Sequence, residues 1–179
     1  EINKEILVYT YGYSKRKVLM VHGWSGRGTQ LYAIADKLLE NGYMTISFDA
    51  PAHGKSTGKM TIMPEFIAAV KVLNAKFGPF EIAIGHSLGG MTILNNISQG
   101  MEVQKAITIG SNDKVSDIIA DFVKTIELKP KMALRIEKYL SKKFHKEIDQ
   151  YSSSEAAKNI NIETLVIHDE GDNEVPVSC

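Results

Sequence analysis

Short apolar runs alternate with helix-like apolar stripes along this chain, and that alternation restricts its fold more than any other feature. Six runs have the length and composition of β-strands: residues 5–11, 17–21, 43–48, 80–84, 103–109 and 163–168. Most of them are almost continuously apolar, which is typical of parallel strands that are covered on both faces. The sequence therefore predicts an α/β fold with a doubly wound, mostly parallel sheet.

Each of three helix-like stripes between these runs ends at a glycine, the residue that most often closes a helix. The stripes and their stops are residues 31–39 with Gly42, residues 66–77 with Gly78, and residues 88–99 with Gly100. These helices are expected to connect the parallel strands.

The segment of residues 113–160 departs from this alternation, because it has helical periodicity and no strand-like run. One apolar stripe extends from Val115 to Ile126, and a second follows Pro130 and extends from Met132 to Phe144. These two helices could be ordinary crossover helices on the sheet or a lid over a site. The lid is favoured because the segment is longer than one crossover needs.

The candidate nucleophile is Ser87, in the run Gly85-His86-Ser87-Leu88-Gly89 that joins an apolar strand to a helix. G-x-S-x-G in this context is typical of a nucleophile elbow, which presents a serine at the carboxyl end of a sheet. The amide of Leu88 opens the following helix, where it can bind a developing oxyanion. A turn with an incidental serine is the alternative, and the flanking strand and helix disfavour it.

A second strand runs into the glycine-rich loop His22-Gly23-Trp24-Ser25-Gly26. The other oxyanion donor is expected at this upstream position, and the amide of Trp24 is the candidate. The indole of Trp24 could line the substrate pocket. We interpret His22 as a structural histidine that fixes the loop by hydrogen bonds rather than as a base.

These motifs resemble those of the α/β-hydrolase superfamily, and the resemblance covers nearly the whole chain. Residues 48–56 look like the D-x-P-G-x-G-x-S turn of that family, with Ala52 where glycine is usual. The resemblance implies one domain over residues 1–179, with residues 113–160 as a helical cap insertion. It also implies a serine hydrolase that cleaves an ester or related acyl bond and needs no metal and no cofactor.

Residues 164–176 are similar to the strand and turn that carry the triad acid in this family. Matched to the family's D-x-x-V-P, the acid is Asp172. Asp169 is the rival candidate. Asp172 is favoured because a triad acid must lie on the turn beyond the strand end to orient an imidazole.

The family places its catalytic histidine after one more strand, and no histidine follows Asp172 in this sequence. His53, His86, His145 and His168 are weaker candidates, since a base must lie within about 3 Å of the serine hydroxyl. We therefore expect that the chain is truncated, that the histidine lies outside it, and that the chain as given is inactive.

Charge and composition bear on the partners and the compartment. Lys+Arg and Asp+Glu both number 21, so no basic field favours nucleic acid. No apolar run is long enough to span a membrane, and the single cysteine, Cys179, permits no intrachain disulfide. We expect a cytoplasmic protein that acts on a small-molecule acyl substrate.

Two other functions remain open at this point. An acyltransferase would use the same residues with an alcohol in place of water. A non-catalytic binding protein of this fold is favoured by the missing histidine and disfavoured by the intact serine motif. Serine at position 87 argues against the dehalogenase and epoxide-hydrolase branches, in which the family has aspartate there.

Overall fold

The computed structural model describes residues 3–145 and 147–177, with Phe144 described by its backbone alone, so Cys179 lies outside the described residues. The β-strands are β1 (Val8–Tyr11), β2 (Lys17–Val21), β3 (Met44–Phe48), β4 (Ile82–His86), β5 (Lys105–Ile109) and β6 (Glu163–Ile167). The α-helices are α1 (Tyr32–Glu40), α2 (Met63–Phe77), α3 (Leu88–Ser98), α4 (Val115–Thr125), α5 (Lys131–Phe144) and α6 (Ser153–Ala157), and a 3-10 helix spans Ile148–Tyr151. Among these described helices, none combines the length and the apolar character that crossing a membrane requires.

The strands form one sheet in the order β1-β3-β2-β4-β5-β6. β1 pairs antiparallel with β3, whereas every other neighbouring pair is parallel. Each connection between parallel strands contains at least one helix, because a tight turn cannot join strands that point the same way. The structure therefore confirms the predicted α/β fold with a mostly parallel sheet.

Alternate side chains of β2 enter two different cores, one on each face of the sheet. Leu19 and Val21 belong to the larger core, to which α2 contributes Phe66. Val18 and Met20 face the opposite way, into a smaller core that α1 covers. Helices on both faces explain why β2 is apolar at consecutive positions, since successive side chains of a strand point to opposite sides.

Several elements begin or end a few residues away from their predicted positions. The run of residues 80–84 predicted the fourth strand, which spans Ile82–His86 in the structure. Phe80 is buried in the larger core although it precedes that strand, and Val103 packs against the same core ahead of β5. An apolar run in the sequence indicates buried side chains rather than strand pairing. Phe80 and Val103 pack against the core before the backbone begins to pair in the sheet.

β6 lies at one edge of the sheet, and its side chains are exposed rather than covered on both faces. Leu165, Val166 and Ile167 are 54%, 67% and 45% exposed. In the described part of the chain, β6 pairs with β5 alone. A strand with one neighbour and little packed against its faces leaves apolar side chains in contact with solvent.

Helices α4 and α5 occupy most of the segment for which the sequence predicts two helices. They bury Ile119, Val123 and Ala133 against each other in a cluster of their own. Ser116, in the first turn of α4, donates through its amide and its hydroxyl to the carboxylate of Asp149, at 3.0 and 2.8 Å. The 3-10 helix, which the sequence did not predict, therefore anchors the first turn of α4. α6, which the sequence also did not predict, follows it.

Candidate active site

The five parallel strands all end at the same edge of the sheet, and the candidate residues lie in the loops that follow those ends. β2 leads to the turn of residues 23–26, β3 to the loop that begins at Asp49, and β4 to Ser87. β5 leads to Gly110 and β6 to Asp172. Ligand sites in open α/β sheets form at this carboxyl edge.

Ser87 sits between β4 and α3 with φ 52° and ψ −123°, a backbone conformation that residues other than glycine rarely adopt. A Cβ atom on Gly85 would collide with the backbone of Gly89, and one on Gly89 would collide with the carbonyl of Val21. The amide of Ser87 donates to the carbonyl of Ile109 at 2.9 Å. Small neighbours and this bond thus hold a sharp strand-to-helix turn in place.

The turn of residues 23–26 packs directly against Ser87. The amide of Gly26 donates to the carbonyl of Gly23 at 3.1 Å, which closes the turn. A Cβ atom on Gly23 would lie 2.9 Å from the Cβ of Ser87, so only glycine permits this approach. Within the described residues, the amides of Trp24 and Leu88 donate to no acceptor, and an oxyanion could take that place.

Both ring nitrogens of the buried His22 are used by the fold, in agreement with its interpretation as a structural histidine. Its Nδ1 donates to the carbonyl of Gly23 at 2.6 Å, and its Nε2 accepts from the amide of Ala50 at 3.0 Å. Only the neutral ring can donate from one nitrogen and accept at the other. Burial lowers the pKa of His22, which favours that neutral form.

Asp172 lies on the turn beyond β6, as the sequence motif predicts for the acid. Its Oδ1 accepts from the amides of Glu174 and Val175, at 2.9 and 2.8 Å. The bond from Val175, followed by that from Glu174, lowers the pKa of the Asp172 carboxyl, so it is ionised at neutral pH. Its Oδ2 lies 3.7 Å from the position of a Cβ on Gly110, at the end of the strand beside β4.

Asp169, the rival acid, accepts from the amide of Gly171 at 2.8 Å and so caps the same turn. It lies between the end of β6 and Asp172. The structure therefore uses Asp169 locally and leaves Asp172 nearer to Gly110.

Two of the four alternative histidines already use ring nitrogens in bonds to the backbone. His53 donates from Nδ1 to the carbonyl of Pro51 at 3.0 Å and accepts at Nε2 from the amide of Ser25 at 3.1 Å. His168 donates from Nε2 to the carbonyl of Val175 at 2.7 Å. These bonds compete with any role as the base.

The other two candidates for the base, His145 and His86, have no hydrogen bond of this kind to the backbone among the described residues. His145 ends α5 in a left-handed conformation and is exposed. The Nδ1 of His86 is buried and has no partner among the described residues. A Cβ on Gly23 would lie 3.1 Å from that Nδ1, which places the His86 ring against the turn of residues 23–26.

Sequence reasoning missed Asp49, a buried carboxylate that joins three segments. It accepts from the amides of Gly28 and Lys55, at 2.7 and 2.8 Å, and from the hydroxyl of Tyr9 at 3.0 Å. Burial alone would raise the pKa of Asp49, but these hydrogen bonds outweigh burial and lower it. The clue was the aspartate at the end of an apolar strand, where an unpaired carboxylate would be costly.

A cavity of about 460 Å³ opens beside the candidate oxyanion amides. Its walls come from the turn of residues 23–26, the beginnings of α2 and α3, and the inner faces of α4 and α5. The lining is almost entirely apolar and includes Trp24, Met63, Leu88, Ile119, Phe122 and Ile136.

Among the described residues, no group of three or more His, Cys, Asp or Glu side chains could hold a metal ion.

Comparisons with known proteins agree with this architecture. A family model described as alpha/beta hydrolase fold matches residues 17–142. The chain is similar to the structure of an esterase (EaEST) from Exiguobacterium antarcticum, with 19% identity, a TM-score of 0.71 and coverage of 98% of this chain and 81% of that one. It is also similar to a monoacylglycerol lipase from Paleococcus ferrophilus, with 21% identity, a TM-score of 0.72 and coverage of 97% and 81%. At this identity the likeness shows the fold, and no curated protein sequence matches the chain.

Proposed function

This chain belongs to the alpha/beta hydrolase fold family, and on that premise we propose that it is a serine hydrolase that cleaves an ester or a related acyl bond. The observation that carries the proposal is the position of Ser87. Its strained turn lies against the turn of residues 23–26 and beside an apolar cavity. Strain of this kind persists where the surrounding structure enforces it, and it is concentrated at active sites.

In the proposed reaction the Oγ of Ser87 attacks the carbonyl carbon of the substrate, and the amides of Trp24 and Leu88 stabilise the oxyanion. A histidine removes the proton from the hydroxyl and later gives it to the leaving alcohol. Asp172 orients that histidine through Oδ2, because Oδ1 already accepts two backbone amides. Water then releases the acyl group from Ser87.

We propose that this base is a histidine from outside the described residues. The ring nitrogens of His22 and His53 are bonded to backbone groups, and His168 donates from Nε2 to Val175. A base must be free to accept the serine proton at hydrogen-bond distance. His22, His53 and His168 therefore serve the fold, and His145 is exposed at the end of α5. The side chain of His86 is expected to diverge from that of its neighbour Ser87 on the sharp turn.

The cavity indicates which acyl groups the site would accept. Trp24 and Leu88, the proposed oxyanion residues, also belong to its lining. An acyl chain whose carbonyl oxygen is bound by those two amides would therefore extend between apolar walls. We propose an apolar acyl group, with α4 and α5 acting as the lid of its pocket, because a charged chain would lose its hydration there without a partner.

The test is covalent labelling of the full-length protein with a fluorophosphonate probe, followed by mass spectrometry. Labelling is expected at Ser87 and is expected to vanish in Ser87→Ala, because Ser87 lies on the strained turn that packs against the turn of residues 23–26. Ser98→Ala, at the end of α3, is the matched control and should label like the wild type. Labelling that persists in Ser87→Ala would contradict the proposal.

A further inference from the structure

We propose that His53 is a positioning residue, which holds the turn of residues 23–26 in the conformation that binds the oxyanion. The inference rests on the proposed function, because His53 would act on the reaction through the amide of Trp24. It assigns to this histidine a role other than that of the base.

The turn needs an external support because of Ser25. Ser25 has φ 58°, a left-handed conformation that a side chain disfavours. Trp24 lies between Ser25 and Gly23, so the direction of the Trp24 amide depends on the backbone of both neighbours. If Ser25 relaxes to an ordinary conformation, the Trp24 amide turns away from Ser87.

His53 supplies that support through one hydrogen bond. The amide of Ser25 donates to Nε2 of His53 at 3.1 Å, while Nδ1 donates to the carbonyl of Pro51 at 3.0 Å. This pair of bonds requires the neutral ring with its proton on Nδ1. A proton added at Nε2 would face the N–H of Ser25, and the bond would be lost.

Aromatic neighbours keep the His53 ring from turning to find another arrangement. Its centroid lies 5.5 Å from that of Trp24, 5.3 Å from that of Phe66 and 5.2 Å from that of His22. The contacts with Trp24 and Phe66 are edge-on, at 81° and 85°. The ring is therefore held where its Nε2 can accept from the amide of Ser25.

The first test uses the fluorescence of Trp24, the single tryptophan of the chain. The His53 ring lies edge-on to the indole, and Trp24 belongs to the turn that His53 supports. In the full-length protein, we expect acrylamide to quench Trp24 more strongly in His53→Phe than in the wild type, because the turn loses its support. His53→Gln and His168→Gln, the matched control, should be quenched like the wild type.

The second test separates support of the turn from a general structural role. Glutamine can place its Oε1 near the position of Nε2 and accept from Ser25 without titrating, whereas phenylalanine keeps the ring and offers no acceptor. With a short-chain nitrophenyl ester, His53→Phe should lower kcat at least about tenfold and by no more than the roughly 10²–10³-fold loss that deletion of an oxyanion donor causes, and it should change KM less than about twofold. His53→Gln should recover most of kcat.

The outcomes distinguish this inference from the proposed function. Equal acrylamide quenching of Trp24 in His53→Phe and the wild type, or a kcat in His53→Phe equal to that of an active wild type, would overturn the inference alone. If His53→Phe unfolds, the same comparison with His53→Leu, which also offers no acceptor, decides the question. A wild-type protein that neither labels at Ser87 nor turns over an ester would overturn the proposed function, and the role of His53 in catalysis with it.

Discussion

Gly23 shows how much of the candidate site depends on the size of one side chain. Its backbone lies so close to Ser87 and His86 that a Cβ atom would fall 2.9 Å from the Cβ of Ser87. The approach brings the amide of Trp24 next to the proposed nucleophile. A glycine at this position is therefore a requirement of the site rather than of the strand that precedes it.

We expect Gly23→Ala to reduce kcat of the full-length enzyme by about 10- to 100-fold, because a displacement of about 1 Å at an active site can cost 10²-fold. The substitution should change the free energy of unfolding less than it changes turnover, since the turn can shift away from Ser87. Steady-state kinetics and urea unfolding measure the two effects.

Gly171→Ala is the matched control for Gly23→Ala. The nearest atom to a Cβ on Gly171 is the Oδ1 of Asp169 at 3.4 Å, an ordinary contact. Activity close to that of the wild type is expected in this variant. An unchanged kcat in Gly23→Ala would show that the turn of residues 23–26 does not position the oxyanion donor.

The helices of the chain fall into two groups that differ in what they pack against. α2 buries Phe66 and Val70 in the larger core of the sheet. α4 and α5 are strongly amphipathic and bury side chains mainly against each other, with Ile119 and Val123 on one side and Ala133 on the other. A helix pair of this kind can separate from the sheet without breaking the main core, which suits the proposed lid.

Hydrogen exchange should reveal this difference between helices. We expect amides in α4 and α5 to exchange at least about tenfold faster than those in α2, because local opening costs less where fewer buried contacts break. Mass spectrometry of peptides from the two regions measures the rates, and α2 is the internal control of comparable length. Equal protection of α2, α4 and α5 would instead indicate ordinary crossover helices.

For the molecule as a whole, the histidines decide whether the described residues form a complete catalytic site. Ser87 and the two candidate amides lie at the carboxyl edge of the sheet. The carboxylate of Asp172 lies beside Gly110 at the same edge. His22 and His53 each use both ring nitrogens in bonds to the backbone. The proposed mechanism therefore assigns the role of the base to a histidine other than these two.

We expect a protein that consists of residues 1–179 alone to show no measurable ester turnover, because loss of the histidine from such a triad lowers turnover by on the order of 10⁶-fold in another serine hydrolase. A nitrophenyl ester assay measures this, with Ser87→Ala as the background control. Turnover above that background would contradict this expectation, and its disappearance in His168→Ala would identify that histidine as the base.

The sequence by itself determined where the strands and most helices follow one another along the chain. It also determined the mostly parallel sheet and the position of Ser87 between a strand and a helix. Those properties are local, since apolar periodicity and glycine placement act over a few residues. Only the tertiary structure decided that His53 supports Ser25, that Asp49 joins Tyr9 to two loops, and that α4 and α5 enclose a cavity with Trp24. These contacts join residues that are far apart in the chain, and they form because parallel strands bring their following loops to one edge of the sheet.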